Sequence, residues 1–293
     1  MYPSKFDYVR VQSVEEAVRV LGEHGEEARV LAGGHSLIPL MKLRVLRPKY
    51  LIDIGGIQGL KYIRRDGNTL RIGALTTYFE LENSSEVSRT HRVIASGASV
   101  VGDPQVRNWG TIGGSLSHCD PSGDMGSCVL AARGLMHVRG PSGTRTIESD
   151  NWFVDTFQSA LKQGEILEEI EFQVPPGKLG GAYLKLERKS GDYAIVGVAV
   201  SLALDSSGKC SYAGIGLTSV GGTNVRAKNA ESAILGKVPS KEVISVASEE
   251  AFKEVTPSDD PLRGSAEYKK EMVRVYVRRG LEKALEVARN SQI

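Results

Sequence analysis

Ala32-Gly33-Gly34-His35-Ser36 and Thr111-Ile112-Gly113-Gly114-Ser115 are the two stretches on which the fold reading turns. Each sets a Gly-Gly pair beside hydroxyl side chains. Paired glycines reach positive φ and let successive backbone N–H groups converge on one point, forming an anion nest. The first stretch follows Arg29-Val30-Leu31, which reads as a short buried strand. Ser36 then opens a helical apolar pattern over residues 36–43, where Pro39 falls in the tolerated first turn. Helix N-terminal amides favour negative charge. A single Gly-Gly pair is most often an ordinary turn. Two of them, with Ser36, Thr111 and Ser115 as added donors, predict a clasp that closes on a diphosphate without a lysine.

Competing nucleotide motifs are absent from the sequence. Gly214-Ile215-Gly216 begins a dinucleotide fingerprint, but Ser219 stands where the third glycine belongs and the segment reads as strand. No Gly-Lys-Ser/Thr phosphate loop occurs.

Outward from the first stretch, Ser13 and Glu16 form a capping-box pattern. Val14, Ala17, Val18 and Leu21 recur at helical spacing, and Gly25 ends the helix. Residues 50–54 read as strand. Helix, strand, loop, helix and strand in that order predict a small parallel α/β unit over residues 1–56. A second unit is expected over residues 57–177. There 60–64 and 69–72 flank the turn signal Asp66-Gly67-Asn68. Residues 92–101 and 124–133 read as helices, the latter stopped by Gly134. The stretch 105–120 is polar and punctuated by glycine, and is predicted to be loop. Strands are expected at 135–139, 144–148 and 166–174, with Pro175-Pro176-Gly177 closing the unit. Residues 178–293 read as three strands (182–186, 195–204, 211–217) followed by helices at 227–235, 240–254 and 265–288. Strands segregated from helices make this third unit α+β, and the chain as a whole is expected to be α+β: a two-part nucleotide-binding fold followed by a three-stranded sheet with helices.

The bulk numbers describe a globular protein with no polyanion-binding tail. Of 293 residues, 41% are hydrophobic and 25% charged, and the net charge of +2 comes without a long like-charge run. No apolar stretch approaches the roughly 18 residues of a membrane span, and Met1–Asp7 lacks the apolar core of a secretion signal. Three cysteines, Cys119, Cys128 and Cys210, do not make a disulfide framework, and reduced thiols in the cytoplasm are expected. The histidines show no metal-ligand spacing; His24, His91 and His137 read as surface or packing residues, while His35 lies inside the nest.

Several motifs in fixed order carry more than either loop alone: Ala32-Gly33-Gly34-His35-Ser36-Leu37-Ile38-Pro39; Pro104-Gln105-Val106-Arg107-Asn108 running into Thr111-Ile112-Gly113-Gly114; Asp120-Pro121 with Asp124; and Gly191-Asp192-Tyr193-Ala194-Ile195-Val196. Over essentially its whole length the chain resembles the FAD-binding medium subunit of the molybdenum hydroxylases, the carbon monoxide dehydrogenase, xanthine dehydrogenase and aldehyde oxidoreductase type. The resemblance implies FAD held at its diphosphate by Ala32, Gly33, Gly34, His35, Ser36 and Leu37 on one side, and by Thr111, Gly113, Gly114, Ser115 and Ser117 on the other. It implies Asp124 on the adenosine half and Leu167 lining the cofactor. Lys185 and Tyr193 are implied to approach the isoalloxazine ring. Ser115 departs from the asparagine common in the family and is shorter.

A two-iron cluster takes four thiolates and this chain has three cysteines. The resemblance therefore implies partners: an iron–sulfur small subunit with [2Fe-2S] clusters and a molybdopterin large subunit, assembled as a dimer of heterotrimers. The substrate it implies is an aldehyde first, then carbon monoxide or an N-heterocycle. Nucleic acid is not an expected partner. Two rival readings remain at this level: a self-contained oxidase with flavin bonded covalently to the histidine of Gly-Gly-His-Ser, and a non-enzymatic nucleotide-binding module.

Overall fold

The structure is a computed structural model that describes residues 1–291. Three main sheets succeed one another along the chain, with a two-stranded pair beside the second. In the first unit, β1 (Asp7–Arg10), α1 (Val14–His24), β2 (Ala28–Leu31), α2 (Leu37–Lys42) and β3 (Tyr50–Asp53) build a parallel sheet of order β1-β3-β2. Ser13 caps α1 by accepting from the Glu16 N–H at 3.1 Å, and Gly25 ends it at φ 54°. The apolar stripe Val14, Ala17, Val18 and Leu21 is buried against the sheet. β1 has no counterpart in the sequence reading. It is a short edge strand, largely exposed, so it carries no hydrophobic alternation to detect.

The second unit holds β4 (Ile63–Asp66), β5 (Thr69–Gly73), α3 (Tyr78–Asn83), α4 (Ser85–Thr90), α5 (Arg92–Ser99), α6 (Pro104–Trp109), α7 (Ile112–His118), α8 (Asp124–Ala131), β6 (Leu135–Gly140), β7 (Gly143–Glu148), β8 (Phe153–Asp155), β9 (Gln158–Ser159) and β10 (Ile166–Gln173). Its main sheet is antiparallel in the order β4-β5-β10-β6-β7. The expectation of loop over 105–120 is corrected, because two short helices stand there. Asp103 caps α6 by accepting from the Val106 N–H at 2.9 Å, with Pro104 at its first position. Thr111 caps α7, whose Ile112 and Leu116 are fully buried. The two glycines of α7 hide it from propensity reasoning.

The third unit contains β11 (Lys178–Leu186), β12 (Val196–Leu204), β13 (Cys210–Thr218), β14 (Val225–Arg226), α9 (Lys228–Ile234), α10 (Lys241–Lys253) and α11 (Ala266–Asn290). Its antiparallel sheet runs β11-β12-β13-β14, so the expected three strands become four with the short β14. Every residue of β12 is buried. One face of this sheet packs on α10 and α11, and the other receives α5 and α8 of the second unit. Helix α8 is buried over its whole length, as expected of an apolar helix enclosed by two layers. Gly214 and Gly216 admit it: a Cβ on either would overlap the carbonyl oxygens of Ala131 and Ser127. The motif that fails as a dinucleotide fingerprint is the seat of this helix.

Charge reinforces the same seam. The Arg226 guanidinium bonds Glu231 at 2.6 Å and Asp150 at 2.8 Å, and Glu231 also accepts from the Ile215 N–H at 3.0 Å. Arg226→Met removes the cation shared by Glu231 and Asp150, leaving Glu231 with Arg133 at 3.4 Å and Asp150 with Lys228 at 2.8 Å. A loss of about 1–3 kcal/mol is expected, below the full cost for a dry pair because each carboxylate keeps a second cation. The denaturant midpoint of the variant measures it.

Candidate cofactor site

The two glycine stretches meet. A Cβ on Gly33 would overlap the carbonyl oxygen of Trp109 and lie 3.0 Å from the Gly110 Cα. One on Gly114 would lie 3.9 Å from the Ala32 Cβ. The contact is backbone on backbone, formed where β2 ends and where α6 hands over to α7.

The donors on the two sides differ. Among the described residues, the amides of Gly33, Gly34, His35, Ser36 and Leu37 bond no other group of the protein. Gly34 sits at φ 75°, and Ser36 precedes α2 without using its hydroxyl as a cap. Five donors in a row, partly exposed, form the nest expected of the first stretch. The second stretch is corrected. Its amides are committed: Ile112 to the Thr76 carbonyl at 3.0 Å, Gly113 to that of Ala74 at 2.9 Å, Gly114 to Thr111 Oγ1 at 3.1 Å and Ser115 to the Thr111 carbonyl at 3.1 Å. It offers instead the Thr111, Ser115 and Ser117 hydroxyls and a wall without bulk at Gly114. Gly113 is buried in packing.

Behind this wall the second and third units enclose a polar cluster. Asp124, the first residue of α8, is 7% exposed. Its Oδ1 accepts from the Tyr183 hydroxyl at 2.7 Å and its Oδ2 from Lys185 Nζ at 3.0 Å. The Lys185 ammonium also reaches the Val100 carbonyl at 3.2 Å and Glu187 at 3.5 Å, and its side chain is 4% exposed. Burial pushes the Asp124 carboxyl above its usual range, while Lys185 and Tyr183 pull the other way. Asp124, implied on the adenosine half, and Lys185, implied at the ring, are bonded directly to each other. Tyr193 stands at the mouth of the cluster, 47% exposed, with the Arg263 guanidinium 5.7 Å from its ring centroid. Burial and the nearby Asp120 and Asp124 carboxylates raise its hydroxyl. Leu167 lies in the second unit's core with its side chain packed inward. His35 is exposed.

Sequence reasoning missed Tyr78 and Tyr183. Tyr78 is buried beneath Gly110, with its hydroxyl beside Ser115 and its N–H on the Gly110 carbonyl at 3.1 Å. Nothing in its neighbourhood in sequence marks it. Tyr183 carried a readable signal, since strand alternation places it on the face of β11 that bears Lys185.

Away from this cluster, His137 stands 3.0 Å from Glu171 and 3.8 Å from Glu169. Arg71 bonds both carboxylates, at 2.5 and 2.8 Å, and so fills the cation position. His91 is buried against Phe172, and His24 stacks on Tyr50 at 3.6 Å.

A nest of free amides, facing hydroxyls and a buried charged pair at a seam between layers suit a protein that binds a phosphate-bearing nucleotide. Sequence comparison agrees with this class. Residues 4–175 match the family described as the FAD binding domain in molybdopterin dehydrogenase, and residues 181–284 match the CO dehydrogenase flavoprotein C-terminal domain. The chain belongs to this family of FAD subunits of molybdenum hydroxylases and is part of an oxidoreductase. It is 40% identical to the carbon monoxide dehydrogenase medium chain of Hydrogenophaga pseudoflava, covering 97% of this chain and 98% of that one. It is 37% identical to the 6-hydroxypseudooxynicotine dehydrogenase complex subunit alpha of Paenarthrobacter nicotinovorans, over 99% and 97%. A solved structure of the Hydrogenophaga pseudoflava carbon monoxide dehydrogenase lacking the Mo-pyranopterin moiety superposes with a TM-score of 0.94 at 41% identity, over 98% of this chain and 99% of that chain. No helix among the described residues is long and apolar enough to cross a membrane.

Proposed function

We propose that this chain is the FAD-carrying electron-transfer subunit of a molybdenum- and iron–sulfur-containing hydroxylase or dehydrogenase, receiving electrons from [2Fe-2S] clusters of a partner and delivering them to an external acceptor. The run of free amides from Gly33 to Leu37, set against the Thr111–Ser115 wall, carries the reading. Such donors suit a diphosphate because they are fixed in place and need no reorganisation when charge arrives. Ala32–Leu37 would hold one side of the diphosphate through backbone amides. Thr111, Ser115 and Ser117 would hold the other through hydroxyls, with Gly114 keeping that wall low and Gly113 seating the helix against Ala74. Asp124, Lys185 and Tyr193 are assigned together to the flavin end, and Leu167 to a backbone contact. When bound, FAD supplies both one- and two-electron chemistry. The chain positions it, surrounds it with donors and keeps water from its buried side.

An iron–sulfur small subunit and a molybdopterin large subunit complete the assembly, as a dimer of heterotrimers in the cytoplasm. The unit boundaries at 56/57 and 177/178 belong to the same proposal. The substrate is expected to react on the molybdopterin subunit and not on this chain. An aldehyde heads the substrates to assay, with carbon monoxide and an N-heterocycle beside it.

Gly34→Asp tests the nest. Aspartate adopts the left-handed region more readily than most residues, and the Cβ would meet the movable Ile38 side chain. The main effect is then a carboxylate placed against the diphosphate. FAD uptake by Gly34→Asp is expected to be lost while Gly34→Asn, of equal size, retains most of it. Equal FAD affinity for native and aspartate chains would take the first stretch out of the site. Flavin remaining on the acid-precipitated, denatured polypeptide would instead favour the covalent oxidase.

A further inference from the structure

Between the second and third units runs a line of buried polar side chains that cofactor contact alone does not require. Thr218 on β13 donates to Ser127 of α8 at 2.7 Å. Asn224 bonds Thr218 at 3.3 Å and the Pro121 and Gly123 carbonyls, which form the turn into α8, at 3.3 and 3.4 Å. Tyr183 ends this line on the Asp124 carboxylate. Its ring lies in the second unit's core, where phenylalanine fills the same space. The hydroxyl has its own seat: a Cβ on Gly197 of the adjoining strand would overlap it. A hydroxyl given room and a charged partner in a dry seam is worth more than the packing of its ring.

We propose that Tyr183 is a positioning residue for the cofactor site: by occupying one oxygen of Asp124 it turns the other toward Lys185, and so ties docking of the third sheet to FAD affinity. The proposal rests on the assignment of Asp124 and Lys185 to the cofactor. A carboxylate left with one donor rotates, and the ammonium that follows it leaves its place. Tyr183 itself acts only through Asp124.

The test is a double-mutant cycle of Tyr183→Phe and Asp124→Asn. FAD affinity is read by fluorescence titration of flavin-stripped full-length chain, free or in the complex with which it copurifies, whichever takes up FAD. Tyr183→Phe should weaken binding roughly tenfold, the scale of one hydrogen bond to a charged group. The double variant should bind no worse than Asp124→Asn alone. Arg226→Met, destabilised at the same seam, should keep native affinity. Native affinity in Tyr183→Phe with weakened Asp124→Asn overturns the positioning role and leaves the cofactor reading standing. Native affinity in both removes Asp124 from the site. Losses that add, or an equal loss in Arg226→Met, also overturn the proposal, and uptake by no form of the full chain overturns both readings. If Tyr183→Phe fails to fold, Gly197→Ala, whose methyl displaces the Tyr183 hydroxyl from its seat, replaces it with the same expected loss.

Discussion

Gly33→Ala should strongly weaken FAD binding while leaving the secondary structure intact. The added methyl has nowhere to go. Its nearest neighbours are the Trp109 carbonyl and the Gly110 Cα, both backbone, and the latter is anchored by the bond from the Tyr78 N–H to the Gly110 carbonyl at 3.1 Å. Relief comes only by parting the two stretches. Overpacking by one methyl costs about 1–3 kcal/mol, which corresponds to roughly a 5- to 150-fold loss of affinity when it falls on the bound form. The upper end is expected here because no side chain can yield. FAD titration measures the loss, and an unchanged far-UV circular dichroism spectrum separates it from unfolding. A variant that binds like the native chain would mean that the approach of the two stretches is incidental to the site.

Lys185→Met should be strongly destabilising, and increasingly so as pH rises. Methionine roughly conserves the volume but removes the cation facing Asp124. Breaking a buried pair by deleting one partner costs about 3–5 kcal/mol. The groups facing the remaining carboxylate are the Tyr183 hydroxyl, the Glu187 carboxylate and the Cys128 thiol, none of them cationic. The Asp124 carboxyl already titrates above its ordinary 3.8 in the folded chain. A group raised on folding gives its full stabilisation below its unfolded pKa and loses it as pH climbs through the folded one. Deleting the ammonium raises the folded value further and carries that loss toward neutrality. The gap between native and variant should therefore be small near about pH 4 and widen toward about pH 8. Urea midpoints across that range measure it, and a gap that narrows with rising pH would show that Asp124 is not the ionised partner.

How much was legible in the sequence follows from the range of each interaction. The α1 cap and stripe, the turn at Gly67 and the long strands of the third sheet are local patterns, and they read directly. β1 did not, because an exposed edge strand of four residues has no apolar face. α6 and α7 read as loop because α6 is polar behind its proline and α7 carries two glycines; their stability comes from the Asp103 and Thr111 caps and from burial of Ile112 and Leu116. The site was legible as motifs but not as geometry. Identical Gly-Gly pairs proved to offer free amides on one side and spent amides on the other. That difference depends on whether the Ala74 and Thr76 carbonyls lie opposite, which is a tertiary fact. The Asp124–Lys185 bond spans the same kind of distance in sequence, and only the docking of α8 on β13 reveals it.

The placement of α8 between two layers also fixes an order of events during biosynthesis. The nest precedes in the chain the lysine and tyrosine that hold Asp124, and these lie on a strand that needs its neighbours before it can receive the helix. A polypeptide whose third sheet has not yet formed presents an anion trap without the buried charged pair behind it. On the proposed assignment of Asp124 and Lys185, flavin is expected to load only after the third sheet has docked, and a chain ending before Lys178 is expected to purify colourless.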